Sequence, residues 1–282
     1  MTATSGRLAV LIITLEEELT LPISLGSIRR HLGNVPVLVL DSNSIDRTCE
    51  VAQQYGAMTQ QRKFDGYARQ RNHGLAMLRD CDWVLMLDAD EEVTPEFAAE
   101  LNNFLETAGE HVDMALFRRR DYFMGRWIRR SSGYPTWFGR IVRPRKVTVA
   151  REINEEYLCT GKKVSLQGHI NHYPFSKGLG HWVEKHNRYS TAEAVLAVRE
   201  RRPVRLADFV SKDKTAVRAA LKAIYMRLPC RPLLGFLYLY VVRLGFLDGR
   251  AGFHFCTLRF IYECLINLKA FEEKTQNRSA HT

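Results

Sequence analysis

Trp83-Val84-Leu85-Met86-Leu87-Asp88-Ala89-Asp90-Glu91-Glu92 is the stretch from which the fold can be read. Five apolar residues in a row, Trp83 to Leu87, suit a strand buried on both faces, since neither face offers a polar position to water. The run stops at Asp88, so the strand carries charge to the edge of a sheet. Side chains two apart in a strand project from one side, and the pattern predicts that Asp88 and Asp90 aim at one point, with Ala89 leaving room between them. Converging carboxylates suit a hard divalent cation, Mg²⁺ or Mn²⁺, whose remaining positions go to water or to a ligand's phosphates. An Asp-X-Asp at a strand end is also an ordinary surface feature. Behind it, Thr94-Pro95-Glu96 reads as a helix start with Thr94 as cap, so the flanking chain must decide.

Upstream, Leu8 to Ile13 is another buried-strand run, and the acidic loop Thr14 to Glu18 follows it. Leu21, Leu25, Ile28 and Leu32 then recur at helical spacing. Val35 to Leu40 is a second strand ending in Asp41, after which Ser42-Asn43-Ser44 turns and Ser44 or Asp46 caps a helix through Tyr55. A short strand at Ala57 to Gln60 and a helix from Gly66 to Leu78 lead back to Trp83. Alternating strands and helices predict an α/β fold: a Rossmann-like, open, mostly parallel sheet with flanking helices. Ligands of such sheets sit outside the carboxyl ends of the strands, where Thr14 to Glu17, Asp41 to Asp46 and Asp88 to Glu92 would line one crevice. No Gly-X-Gly-X-X-Gly follows the first strand and no Walker-type Gly-Lys-Ser/Thr occurs, which weakens dehydrogenase and P-loop readings. A diphosphate would instead be held by the cation and by basic side chains, with Arg69 and Arg71 as candidates.

The chain has 282 residues, 46% of them hydrophobic, enough for one sizeable core and an appendage. A net charge of +10 points to an acidic partner: a phosphate-bearing ligand, nucleic acid or an anionic membrane surface. Six cysteines without close-paired spacing suit a reducing cytosol, and the N-terminus lacks the core of a signal peptide. Downstream, Pro95 to Leu105 reads as a helix and Met114 to Arg120 as a strand. Asp121 to Arg130 interleaves aromatics with arginines, which suits nucleic acid, sugar, anionic lipid or a solvated basic face. His169-X-X-His172 has no strong third partner for zinc and reads as a hydrogen-bonding or core pair. Arg199 to Arg231 holds ten basic and three acidic residues, and Leu233 to Leu247 is apolar apart from Arg243. That run is too short to span a bilayer. It fits a segment lying in the membrane interface, drawn by anionic lipid through 199–270, or else a helical subdomain packed on the core. The expected division is 1–195 for the α/β domain and 196–282 for a helical, membrane-associated extension.

Several motifs in this order resemble the bacterial family 2 glycosyltransferases, especially their lipopolysaccharide-core and exopolysaccharide branch. Ile12-Ile13-Thr14-Leu15-Glu16-Glu17 is similar to that family's Thr-Xaa-Asn-Glu-Glu signature, with Leu15 and Glu16 departing from it. Asp41-Ser42-Asn43-Ser44-Ile45-Asp46-Arg47-Thr48 resembles its Asp-Ser-Gly-Ser-Thr-Asp-Xaa-Thr, and Asp88-Ala89-Asp90-Glu91-Glu92 its metal motif. Later matches are Ile153-Asn154-Glu155, His172-Tyr173, His186-Asn187-Arg188-Tyr189-Ser190 and Leu244 to Gly252.

The resemblance implies a GT-A fold, a nucleotide-diphosphate-sugar donor (a UDP-sugar first), Mn²⁺ or Mg²⁺, and inversion at the anomeric carbon. It places Thr14 and Glu16 on the base or ribose, Asp41 on the base, Arg69 and Asn72 near the nucleotide, Asp88 on the ribose or metal side, and Asp90 on the cation. Glu155 is the expected base, in competition with Glu152 and Glu156, and Arg140 and Arg143 are expected on diphosphate or acceptor. The resulting expectation is metal-dependent hexosyl transfer to a lipid-linked or polysaccharide acceptor, peripheral on the cytoplasmic face of the bacterial inner membrane, with no nucleic acid partner. Alternatives are transfer to polyprenyl phosphate and a non-catalytic basic membrane- or nucleic-acid-binding adaptor.

Overall fold

The computed structural model describes residues 6–151, 155–199, 214–225, 228 and 230–279. In chain order the elements are β1 (Leu8–Thr14), α1 (Leu21–His31), β2 (Val37–Asp41), α2 (Thr48–Gln54), β3 (Met58–Gln61), α3 (Tyr67–Met77), β4 (Trp83–Asp88), β5 (Glu91–Val93), α4 (Pro95–Thr107), β6 (Val112–Phe123), β7 (Arg126–Trp127), β8 (Thr136–Val142), β9 (Thr148–Ala150), β10 (Glu156–Leu158) and β11 (Lys162–His172). Helices follow: α5 (Gly178–Arg199), α6 (Lys214–Tyr225), α7 (Arg231–Leu237) and α8 (Gly249–Ser279). The chain divides into two units, the first Met1–Tyr122 with Tyr134–Lys177 and the second Phe123–Gly133 with Gly178–Thr282. The division falls at the start of α5 rather than near residue 195, because α5 packs along α8.

In the first unit the main sheet is ordered β3-β2-β1-β4-β8-β6-β11-β5. Strands β3, β2, β1 and β4 are mutually parallel, as continuous apolar runs predict. The other half is mixed: β8 runs antiparallel to both β4 and β6, β11 is parallel to β6, and β5 is antiparallel to β11. The sheet is therefore less parallel than the strand-helix alternation implied. β1 and β4 are packed on both sides: Leu85 and Leu87 enter one core with Phe97 and Phe117, while Val84 and Met86 enter the other with Leu11 and Val142. Each such side chain contributes roughly 1.5–3 kcal/mol by leaving water.

Two local features set the site. Thr94 caps α4 by accepting from the Phe97 amide, with Pro95 in the first turn, which stops β5 and turns the chain away from the strand ends. Gly74 lets α3 lie directly on β1, since a Cβ there would stand 2.5 Å from Leu11 Cδ1. Arg71 and Asn72, one turn earlier on α3, are thereby brought against the sheet.

The second unit is mainly helical, and polar bonds join segments far apart in its sequence. Lys269 Nζ donates to Asn187 O, Asn187 Oδ1, Ser190 Oγ and Thr191 Oγ1 at 2.6–2.8 Å. Asp248 Oδ2 accepts from the Arg130 and Ser131 amides and from Ser131 Oγ. This accounts structurally for much of the Leu244 to Gly252 motif. The apolar run Leu233 to Leu247 is not one helix: α7 passes into a π-turn at Tyr238–Val242, then breaks at Arg243–Leu244, where Leu244 has φ 59°. Most of the basic stretch before it, 200–213, lies outside the described residues, as do Glu152, Ile153 and Asn154.

Candidate active site

Strand register brings the acidic segments to one edge of the first unit. Thr14 stands opposite Asp41 and Ile13 opposite Asp88, so β1, β2 and β4 end together. The order reverses between β1 and β4, and this is the switch point where an open α/β sheet forms its ligand crevice.

Asp41 is fully buried and already engaged: Oδ1 accepts from Thr14 Oγ1 at 2.9 Å and Ser44 Oγ at 2.6 Å, and Oδ2 from the Ser44 amide at 2.8 Å. Ser44 Oγ in turn accepts from the Glu16 amide at 2.7 Å, and Glu16 takes a left-handed φ of 55°. Thr14, Glu16 and Asp41 thus form one braced loop pair at the strand ends. Asp46 does not cap α2 from the N-cap position. Its Oδ1 accepts from the Thr48 amide, and Arg47 occupies that position without a side-chain cap.

Asp88 and Asp90 part company. β4 ends at Asp88 and residues 89–90 form a turn, so the two-residue strand period no longer governs Asp90. Asp88 Oδ1 accepts from Arg71 Nη2 at 2.9 Å and Oδ2 from Arg140 Nη1 at 2.7 Å. Burial alone would raise this carboxyl, but Arg140 and Arg71 outweigh it and hold it well below the usual carboxylate range. Asp88, expected to share the cation, has both oxygens on guanidiniums instead. Asp90 Oδ2 faces His172 Nε2 at 3.4 Å, and His172 Nδ1 lies 2.7 Å from Asp121 Oδ1. Burial and Arg119 push the imidazole down, yet Asp90 and Asp121 outweigh them and hold it at about 9.

These groups belong to one alternating chain of charge. It runs from Glu155 to Arg71 (2.7 Å), Asp88 (2.9 Å), Arg140 (2.7 Å), Glu91 (3.4 Å), Arg119 (3.4 Å), Asp121 (3.2 Å), His172 (2.7 Å) and Asp90 (3.4 Å). Glu91 is its buried midpoint, with no exposed side-chain area, and it also accepts from the Asp88 amide at 3.0 Å. Glu155 is gripped through both oxygens by Arg71 Nε and accepts from Tyr157 Oη at 2.7 Å, so it is a clamped carboxylate. Its rival Glu156 is exposed at the start of β10, and Glu152 lies outside the described residues.

The remaining expected residues are dispersed. Arg69 pairs with Asp65 on the surface. Asn72 is bound to the backbone of β9, donating to Val149 O at 2.8 Å and accepting from its amide at 2.9 Å. Arg143 donates to Val112 O and lies over the Trp83 ring, so it serves the core. Sequence reasoning put Glu91 in the Asp88 to Glu92 cluster without a role of its own, read His172 as a hydrogen-bonding or core residue, and did not single out Arg119 or Asp121 as site residues. The usable signal for His172 was its phase: it shares a strand face with Ile170 rather than with His169.

The donor set can be tested against a divalent cation. Asp90 offers an oxygen, and His172 would offer Nε2 once an ion displaced the proton that Asp90 and Asp121 hold on the ring; Asp121 orients the imidazole from its far nitrogen, as metal-binding histidines are commonly oriented. Oxygen and imidazole suit Mn²⁺, and Mg²⁺ through the carboxylate. Among the described residues no three His, Cys, Asp or Glu side chains converge, so the other positions would fall to water and ligand oxygens. With that condition the residues fit. Arg71 Nη1 and Arg140 Nε are buried and lack a hydrogen-bond acceptor among the described residues, leaving donors for an anion beside the same carboxylates.

A sheet switch point flanked by braced acidic loops, a carboxylate–imidazole pair and paired guanidiniums is the arrangement of a GT-A-type domain. Residues 9–164, more than half the chain, match the model of Glycosyl transferase family 2, and the chain belongs to that family. An uncharacterized glycosyltransferase of Rickettsia prowazekii (strain Madrid E) is 24% identical over 291 residues, covering 96% of this chain and 89% of that protein. One of Rickettsia felis (strain ATCC VR-1525 / URRWXCal2) is 30% identical over 95 residues, 34% of this chain, and there the match spans only about a third, 32%, of the relative's length. Among solved structures, TarS residues 1–349 of S. aureus is similar with a TM-score of 0.45 and 16% identity over 93% of this chain and 90% of that one. Glucosyl-3-phosphoglycerate synthase of Mycobacterium tuberculosis, in complex with Mn²⁺, uridine diphosphate and glucosyl-3-phosphoglycerate, is similar with a TM-score of 0.34 and 26% identity over 41% and 44%.

Proposed function

We propose that the protein is an inverting glycosyltransferase that moves a sugar from a nucleoside-diphosphate sugar, a UDP-sugar first, to a lipid-linked or polysaccharide acceptor of the lipopolysaccharide or exopolysaccharide kind. It would work with Mn²⁺ or Mg²⁺ at the cytoplasmic face of the bacterial inner membrane. The observation that supports this reading is the alternating charge chain from Glu155 to Asp90, set at the carboxyl strand ends of a family 2 domain.

Asp90 and His172 would hold the cation, with Asp121 fixing the ring. When bound, that cation supplies neutralisation of the charge that grows on the departing diphosphate. Arg140 and Arg71, positioned by Asp88, would set positive charge near the same phosphates. Thr14, Glu16 and Asp41 shape the wall for base and ribose, and Arg69 stands at the surface for the nucleotide's outer edge. Glu155, fixed in one orientation by Arg71 and Tyr157, is the carboxylate assigned to take the acceptor hydroxyl's proton.

Calorimetric titration of UDP-, GDP- and dTDP-sugars with and without Mn²⁺ tests this. Binding of one nucleotide class only when the ion is present supports it, and no binding under any condition refutes it. A product cleaved by mild acid would redirect the acceptor to a polyprenyl phosphate.

A further inference from the structure

The second unit turns apolar side chains outward. On α7 and its π-turn, Leu233, Leu237 and Val241 recur every four residues, and Leu234, Tyr238 and Val242 form a second row beside them. All six are between 39% and 68% exposed. Rows four apart share a helix face, and on a helix resting against a core the exposed face is ordinarily polar. Beyond the break, Phe246 and Leu247 extend the same surface at 45% and 51% exposed.

Geometry selects how such a surface is covered. No single helix among the described residues is long and apolar enough to cross a membrane. Arg231–Val242 and Gly245–Gln276 together reach that length and composition, but they are bent by 71°. The first arm rises about 18 Å at helical pitch, well short of a hydrocarbon core of about 30 Å. The bend then carries the second arm off its axis, so the pair suits the boundary of one leaflet. Charge selects the lipid: Arg199 to Arg259 holds thirteen Lys and Arg against four Asp and Glu, nearly all of the chain's net +10. Anionic headgroups complement that excess, each nearby basic residue adding to the attraction.

We propose that Arg231–Leu247 is a wedge that seats in the headgroup boundary of an anionic leaflet, with the Leu233 and Leu234 rows buried among acyl chains. This deepens the membrane-surface part of the proposed function and does not depend on its chemistry.

Flotation of the full chain with phosphatidylcholine vesicles, with and without phosphatidylglycerol, tests it. The protein should float with the anionic vesicles and lose binding as salt rises. Val241→Asp/Val242→Asp should bind them at least about tenfold more weakly, with its far-ultraviolet circular dichroism unchanged. In a Phe246→Trp variant, brominated lipid should quench the new tryptophan's added fluorescence. Equal flotation of the aspartate variant, absence of quenching, or a dimer that the aspartate variant converts to monomer would overturn the wedge. Asp90→Ala should float like the wild type, so a chain that floats but binds no donor defeats the proposed chemistry and leaves the wedge standing.

Discussion

Arg140→Met probes the charge chain at its most buried link. The substitution removes the guanidinium 2.7 Å from Asp88 Oδ2 and 3.4 Å from Glu91, whose side chain has no exposed area. Taking one partner from a buried pair costs roughly 3–5 kcal/mol. Arg71 still serves Asp88 and Arg119 still serves Glu91, so the low end applies, about 3 kcal/mol out of a typical 5–15. Urea unfolding should show it as a lowered midpoint with unchanged slope. The loss should vary with pH in a defined sense. Burial, then Asp88, raise the Glu91 carboxyl, while Arg140 and Arg119 lower it, so losing Arg140 raises it further. A raised folded value stabilises at low pH and is lost as pH rises, so the deficit against wild type should be smallest in acid and largest near neutrality. Adding Glu91→Gln should recover about 1–3 kcal/mol, because the orphaned charge goes with it. A single variant within about 0.5 kcal/mol of wild type, or a double variant no better than the single, would refute the coupling.

Asn72→Ala should cost about 1–3 kcal/mol in urea unfolding through two lost backbone hydrogen bonds to Val149, with donor affinity in calorimetry nearly unchanged. Gly252→Ala should lower the thermal midpoint of the second unit by an amount equivalent to about 1–3 kcal/mol, since a Cβ there meets Asp248 Cβ at 2.7 Å and Ser131 Oγ at 2.9 Å. Burial holds the His186 imidazole down at about 4 as it stacks on Trp182, against an ordinary 6.5. The folded value lies below the unfolded one, so this contribution is full above about pH 6.5 and fades as pH falls toward 4. His186→Phe should flatten that decline in thermal melts.

The parallel half of the sheet was legible because β1, β2 and β4 are unbroken apolar runs, β2 and β4 ending in aspartate and β1 in a threonine just before an acidic loop. Of the mixed half only β6 was, expected at Met114 to Arg120 and found at Val112–Phe123. β11 alternates lysine, serine, glutamine and histidine with its apolar positions and β5 has three residues; apart from that sheet, β9 is held by Asn72, some eighty positions away in sequence, and β10 pairs with β9. That the acidic segments end together followed from the strand ends, but their internal wiring did not. Asp90 left the strand period at a turn, Arg71 and Arg140 closed on Asp88, and His172 was obscured by reading it with His169, which strand geometry puts on the opposite face. Motif order identified the family, because order survives where individual contacts cannot be inferred.

We propose that Asp90, with His172, holds a divalent cation against an activated sugar. Donor turnover should be followed in wild type and Asp90→Ala under a Mn²⁺ titration, with chelator as the zero point. Turnover should vanish with chelator, return with Mn²⁺ in the wild type, and stay at least about a hundredfold lower in the variant, the scale for losing a principal electrostatic contributor. Turnover in Asp90→Ala equal to wild type at every Mn²⁺ concentration would contradict it.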